Sequence, residues 1–409
     1  MPAEAPTAET QRHQPPTAKP RPRLPALTGV RIFAALAVYA SHLGPPHDSP
    51  APLSAFFASG YMGVTLFFTL SGFVLAINYF DALQRPSATK VWNYLVARFA
   101  RIYPLYILVL FYILVHDHAY GMSIAGWWRH VLAIQAWSSS VVTAYSFNGP
   151  AWSVSVEFFL YASVPLLFPV LARLRTPRAV LAAATVVALA LTALTAWFAA
   201  TGRGGLPWAN PQSAHRWLYR TPVTRLGDFT LGILTARLYL MTKTRAVVSQ
   251  IGTTLAIASI VVTVGLMSWP SDVDSPWSWD VIYAIPAVLL IFGLAVSPRG
   301  HLSNLLSWPL IVLLGESSYA FYLVHQSALA YFGAGRWAVA TSPTTIVYEA
   351  LTLGAILCLA VGLHVLVERP ARIYIRRWAT RSPRNDPQPH VPTTDLYALP
   401  RGIREGSLK

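Results

Sequence analysis

Charge is scarce in this chain. Only 11% of its 409 residues are Asp, Glu, Lys or Arg, against about 25% in an ordinary soluble domain. So few ionised groups could not cover the surface of a soluble protein of this size. The composition therefore excludes an ordinary soluble enzyme, and 54% apolar residues exclude a disordered or fibrous chain. Cysteine is nearly absent: Cys358 stands alone in an apolar run and has no partner for an internal disulfide. Lysine is rare, four against 27 arginines, which with abundant alanine suits a high-GC bacterium such as an actinomycete. Acidic residues are half as many as basic ones, 16 against 31, giving a net charge of +15. That excess does not imply nucleic acid, because Arg and Lys collect in the cytoplasmic loops of membrane proteins.

What the chain has is long apolar runs. A bilayer-spanning helix needs about 20 mostly apolar residues. Ten segments qualify: 26–43, 57–80, 102–117, 153–172, 179–200, 222–240, 247–268, 279–297, 311–333 and 345–367. The stretch from Trp127 to Trp137 is too short and reads as an interfacial or re-entrant helix. With ten spans, 24 Lys and Arg fall on the side of the N-terminus and five on the other side. Both termini are then cytoplasmic, and Asp272 and Asp274 lie in an outer loop. The expected fold is all-α, a polytopic bundle of about ten transmembrane helices in the plasma membrane. Residues 1–25 read as a disordered cytoplasmic tail without the apolar core of a signal peptide. Residues 26–372 form the transmembrane domain, and 373–409 a basic, Pro-containing tail with no soluble catalytic domain appended.

Ionisable groups inside spans are costly and point to function. Arg31 and His42 are eleven residues apart in the first span, three helical turns plus about 20°. They share a face and stand about 16 Å apart along the axis. Imidazole can accept a hydroxyl proton near neutral pH, and a guanidinium can hold an anion or carbonyl. Taken singly, each is equally an interfacial flank residue. Arg98 and Arg101 share a face at the cytoplasmic mouth, which suits a phosphorylated ligand or lipid head groups. Glu157 sits one turn inside the fourth span, where a carboxylate must pair, hydrogen-bond or stay protonated. It could orient His42 or an arginine, or be a structural ion-pair partner. Arg225 and Asp228, three apart, read as a structural pair. Ser318, Tyr322 and His325 lie roughly on one face, for substrate contact or interhelical hydrogen bonds. Gly63, Ser71 and Gly72 read as packing residues. His116-Asp117-His118 is a poor metal site, because adjacent residues rarely converge, and no metal is expected. Nucleotide-binding glycine loops and the G-x-S-x-G motif are absent.

Several pieces occur in a fixed order. They are Arg31 and His42 in the first span, FF-x-LSGF at 67–73, Arg98 and Arg101 followed by IYP, and WSVSVE at 152–157. RLGDFTLG at 225–232, SYAFYLVH at 318–325 and ERP at 368–370 follow. Together, over residues 24–372, they resemble the membrane-bound acyltransferase 3 family, which O-acylates bacterial surface sugars and some antibiotics. The resemblance implies ten core spans, no permanently bound cofactor, acyl-CoA (acetyl-CoA) as cytoplasmic co-substrate, and a hydroxyl acceptor. It also implies His42 and Arg31 as paired catalytic residues and Arg98 and Arg101 as donor-binding residues. Glu157 and His325 match positions usually kept polar. The chain departs from many members in lacking an extra span and a periplasmic hydrolase-like domain. Its start, LPALTGVRIFAALAV, looks like the branch containing tailoring enzymes for macrolides, so a polyketide or its sugar stands beside a surface glycan as acceptor.

The mechanism expected from these residues is direct transfer. His42 takes the acceptor proton, helped by Glu157 or another carboxylate, and the thioester reaches it from the arginine pair. Transfer through an acyl-His42 is the alternative. Arg31 lies too far along its helix to hold the oxyanion, so that donor is left unnamed. The competing class is a transporter of an acylated or anionic lipid or glycan, since buried Arg, Glu and His also line permeation paths.

Overall fold

In a computed structural model the described residues are 22–119, 125–244, 246–270, 273 and 275–379. Asp272, Asp274, the side chains of Asp117 and His118, and the two tails up to residue 21 and from residue 380 lie outside them. Helices are the only regular elements among the described residues, joined by turns and loops, with no strand among them. The principal helices are α1 (Pro25–Leu43), α2 (Gly63–Leu83), α3 (Ala88–Ala119), α4 (Trp152–Leu171), α5 (Pro177–Ala200) and α6 (Pro222–Thr242). They continue with α7 (Ala246–Met267), α8 (Val281–Val296), α9 (Pro309–Glu316), α10 (Ser318–Phe332), α11 (Pro343–Leu363) and α12 (Arg369–Ala379).

Local sequence explains where these helices start. Proline stands in the first turn of α1, α5, α6, α9 and α11, where its missing N–H costs nothing. Thr176 caps α5 by accepting from Ala179 N at 3.2 Å, and Ser342 and Thr345 form a reciprocal capping box on α11.

Seven helical stretches, those containing α1, α2, α3, α4, α5, α7 and α11, are long and apolar enough to cross a membrane. Helices also occupy the other three expected spans, and each falls short for a physical reason. Helix α6 carries Arg225, Asp228 and Arg237. Helix α8 has 16 residues. The segment expected at 311–333 is two helices, broken where the Ser317 hydroxyl donates to the Leu313 carbonyl at 2.8 Å. Two further bounds move: α3 starts well before residue 102, and the expected tail at 373 is still helical to Ala379. The stretch 127–137 holds a short helix, Trp127–Val131, and a single 3₁₀ turn.

The outer surfaces of α5, α7 and α11 expose Val186, Leu189, Val261 and Leu351, as lipid contact requires. Inside, helices cross closely at small residues. A Cβ on Gly72 would lie 2.0 Å from the Phe229 carbonyl oxygen, and one on Gly232 1.9 Å from that of Thr69. These reciprocal glycines bring the backbones of α2 and α6 into contact, which fits the packing expected of Gly72.

Candidate active site

Three cavities follow one another along the inner faces of four helices. A vestibule of about 760 Å³ is lined by Val38 and His42 of α1, Trp152 of α4 and Tyr322 and Gln326 of α10. A middle cavity of about 30 Å³ follows, beside Arg31, Phe67, Ser153, Glu157, Ser318 and Tyr322. An inner cavity of about 90 Å³ comes last, beside Arg31, Phe67, Arg98, Arg101, Glu157 and Tyr161. The order is the same on every element. Helix α1 runs from Arg31 to His42, α4 back from Tyr161 through Glu157 to Trp152, and α10 from Tyr319 through Tyr322 to Gln326. The shared face expected of Arg31 and His42 is thus the wall of this path, with one residue toward each end.

His42 presents its ring to the vestibule. Its Nδ1 lies 2.9 Å from the Val38 carbonyl and 3.3 Å from His325 Nε2. A carbonyl can only accept, so Nδ1 of His42 carries the hydrogen. His325 is fully buried, and its own Nδ1 donates to the Tyr322 carbonyl at 2.8 Å. Its Nε2 is therefore the acceptor facing His42. Both rings are fixed in one tautomer, and His42 Nε2 keeps its lone pair for the vestibule. The orienting partners of His42 are a backbone carbonyl and a second histidine. Glu157 faces the middle and inner cavities instead, with Tyr161 and three arginines around it.

At the other end, Arg98 donates to Tyr79 Oη at 3.0 Å and lies over that ring, while its Nε is buried without a partner. Arg101 is paired with the buried Glu368, whose second oxygen lies 3.0 Å from His364 Nδ1. Glu368 and His364 bracket a widened π-helical turn, His364–Glu368, a local geometry frequent at functional sites. Arg31 and Glu157 face the same two cavities without closing on each other as an ion pair. Ser318 Oγ is buried beside them with no partner. Tyr322 donates from its hydroxyl to the Pro150 carbonyl at 3.1 Å.

Sequence reasoning missed the vestibule wall. Tyr61, Tyr145, Trp208, His215, Tyr219 and Trp279 form it, from segments far apart in the chain. His215 and Tyr219 come from a second π-helical turn, His215–Arg220, in a loop. The available signal was the aromatic density of 208–219, which no spacing rule ties to α1. Arg225 organises the wall from behind. It is fully buried and donates to Asp228 at 2.7 Å, Asp280 at 2.9 Å, and the carbonyls of Tyr219 and Trp279, both at 2.6 Å. The expected Arg225–Asp228 pair is therefore a three-membered cluster; Asp280 was missed, although its charge at the edge of the expected 279–297 span was the signal.

Burial beside Arg220 and Arg225 pushes His215 down to about 3. The unfolded chain takes up this proton below about pH 6.5; the folded chain does so only near pH 3. The stability contributed by neutral His215 is complete above pH 6.5 and is lost as the pH falls toward 3. Between pH 7 and pH 5 the loss is about 2 kcal/mol. His215→Gln is expected to flatten the fall in thermal midpoint over that interval. An unchanged slope in the variant would contradict the assignment.

Gln326 was also missed. Its side chain packs on Gly149 so closely that a Cβ there would lie 2.2 Å from Oε1. Because the obstacle is the tip of a flexible side chain, Gly149→Ala is expected to fold while displacing the amide. A misplacement of this kind costs about 100-fold in kcat if the amide serves the reaction. Wild-type turnover by a folded Gly149→Ala protein would remove Gln326 from consideration.

Comparison with known proteins gives the same picture at the level of family. The model of the acyltransferase domain matches residues 24–365. The chain is 31% identical to the acyltransferase MdmB of Streptomyces mycarofaciens, over 85% of this chain and 91% of that protein. It is 27% identical to a putative acetyltransferase of Acidianus two-tailed virus, over 74% and 82% of the two chains. A putative O-acetyltransferase of Staphylococcus aureus is 21% identical, over 75% of this chain and 51% of its own length. No solved structure matches. With the family model spanning most of the chain and the apolar helices of a multi-pass membrane protein, the chain belongs to the acyltransferase 3 family.

Proposed function

We propose that this protein is a plasma-membrane O-acyltransferase that moves a short acyl group from acyl-CoA to a hydroxyl of a sugar, surface glycan or macrolide-type acceptor. The observation that carries this reading is the line of cavities joining the Arg98 and Arg101 end to His42. The names of relatives as acyltransferases and putative O-acetyltransferases support the chemistry.

In this reading ten helices cross the bilayer and both chain termini face the cytoplasm. The CoA phosphates dock at the cytoplasmic end, where Arg98 and Arg101 supply charge. The pantetheine arm follows the path past Arg31, Glu157 and Ser318, whose polar atoms hydrogen-bond its amides. The thioester arrives beside His42, and the acceptor occupies the aromatic vestibule. His42 Nε2 takes the hydroxyl proton as oxygen attacks the thioester carbon. Nδ1–H stays bonded to Val38 O and His325, holding the ring as it becomes charged. The Gln326 amide donates to the developing oxyanion. The C–S bond then breaks, CoA leaves as thiolate, and the proton on His42 is returned to it or to water.

The test is radiolabelled acetyl-CoA with purified protein in detergent, using methyl glycosides and a glycosylated macrolide as acceptors. Label on an acceptor hydroxyl supports the reading. Absence of both transfer and CoA release rejects it and favours the transporter class.

A further inference from the structure

We infer that the acyl group this protein accepts is selected by the pinch between Phe67 and Tyr322, before the reaction site, and not by the vestibule where the reaction occurs. The inference rests on the proposed reading, in which the donor enters from the Arg98 and Arg101 end.

In an acyl thioester the acyl group is the leading tip and the nucleotide the trailing end. A donor held by its phosphates at the inner cavity therefore pushes its acyl group through the middle cavity before the thioester can reach His42. The middle cavity offers about 30 Å³, against about 760 Å³ in the vestibule beyond it. That is room for about two water molecules. An acetyl group, two carbons and an oxygen, threads such a space with small side-chain motions. A branched acyl group with an isopropyl end does not.

The walls of the pinch are held in place. Tyr322 is buried at 7% exposure and anchored by its hydroxyl on Pro150 O. Phe67 meets it edge-on, ring centres 6.0 Å apart, from α2. Helix α2 is in turn clamped to α6 by the close approach at Gly72 and Gly232. Neither ring can retreat far without moving a packed helix. The vestibule imposes no such limit, since its volume must admit the whole acceptor.

The experiment measures CoA release by the purified protein in detergent, with water alone and with a methyl glycoside as acceptor. The donor probes are acetyl-, propionyl-, butyryl- and isovaleryl-CoA. For the wild type, kcat/KM is expected to fall about tenfold or more with each added carbon. In Phe67→Ala the acetyl to isovaleryl ratio is expected to shrink at least tenfold. Phe67→Leu serves as the milder variant should the alanine protein not elute as a folded species. Trp208→Ala, which enlarges the vestibule, is expected to leave the ratio where it was. A loss of packing alone would lower all donors together, so the ratio separates a filter from a structural defect. Equal rates across the wild-type series, or a ratio moved by Trp208→Ala and not by Phe67 variants, overturns the filter and leaves the acyltransferase reading standing. No CoA release from any donor overturns both.

Discussion

Replacing His42 by alanine is expected to lower acyl transfer by about 10²–10⁴-fold, the range seen when a general base is removed. The ring is an unusually well-defined base. Val38 O and His325 Nε2 both occupy the Nδ1 side, 2.9 and 3.3 Å away, which leaves Nε2 directed to the vestibule. The variant should fold, because His42 is exposed to the cavity and its removal leaves no buried charge behind. His325→Ala is expected to act differently. It leaves the base but frees its orientation, so kcat should fall by less while the pH profile of kcat shifts. The measurement is label transfer from acetyl-CoA with both variants, alongside their elution as folded protein. Wild-type turnover by folded His42→Ala would reject its role.

Arg225→Met is expected to cost about 3–5 kcal/mol of stability, since it strips the cation from two buried carboxylates. Asp228 and Asp280 are 0% and 1% exposed, and one oxygen of each already has no partner. The variant also abandons the carbonyls of Tyr219 and Trp279, so the vestibule wall should loosen. Neutralising the carboxylates tests the cause. Arg225→Met with Asp228→Asn and Asp280→Asn should recover a large part of the thermal midpoint, because what remains buried is uncharged. If the triple variant is no more stable than the single one, the damage comes from the lost wall contacts. An Arg225→Met protein as stable as wild type would show that the cluster does not hold the bundle.

The legible part of the site lay on single helices. Arg31 and His42, or Arg98 and Arg101, are related by helical period alone, and their common face follows from counting residues. The same holds for Ser318 and Tyr322, which line the path, and for His325, which lies behind it against His42. What counting could not give was the pairing between helices. Arg101 read, with Arg98, as suited to a phosphorylated ligand or lipid head groups, and nothing in its helix showed that Glu368, from the far end of the chain, pairs with it. Glu157 read as a possible partner for His42, yet it faces the middle and inner cavities and not the vestibule. The second histidine is close to His42 only because α1 and α10 pack side by side, and the same packing puts Gln326 on the wall of the vestibule that His42 lines.

By itself the sequence determined the environment and the class of fold. Sparse charge and continuous apolar runs of about 20 residues leave helices buried in lipid, since the other arrangement that satisfies the backbone there, a closed barrel, uses shorter segments that alternate in polarity. It also determined which residues are expensive enough to need a reason, because a buried charge announces itself wherever it stands in the chain. The tertiary structure alone decided how those charges are compensated and where the empty space lies. Cavities and ion pairs belong to several helices at once, and their shape depends on crossing points such as Gly72 with Gly232. The narrow middle cavity and the wide aromatic vestibule are products of that packing, which no one-dimensional period encodes.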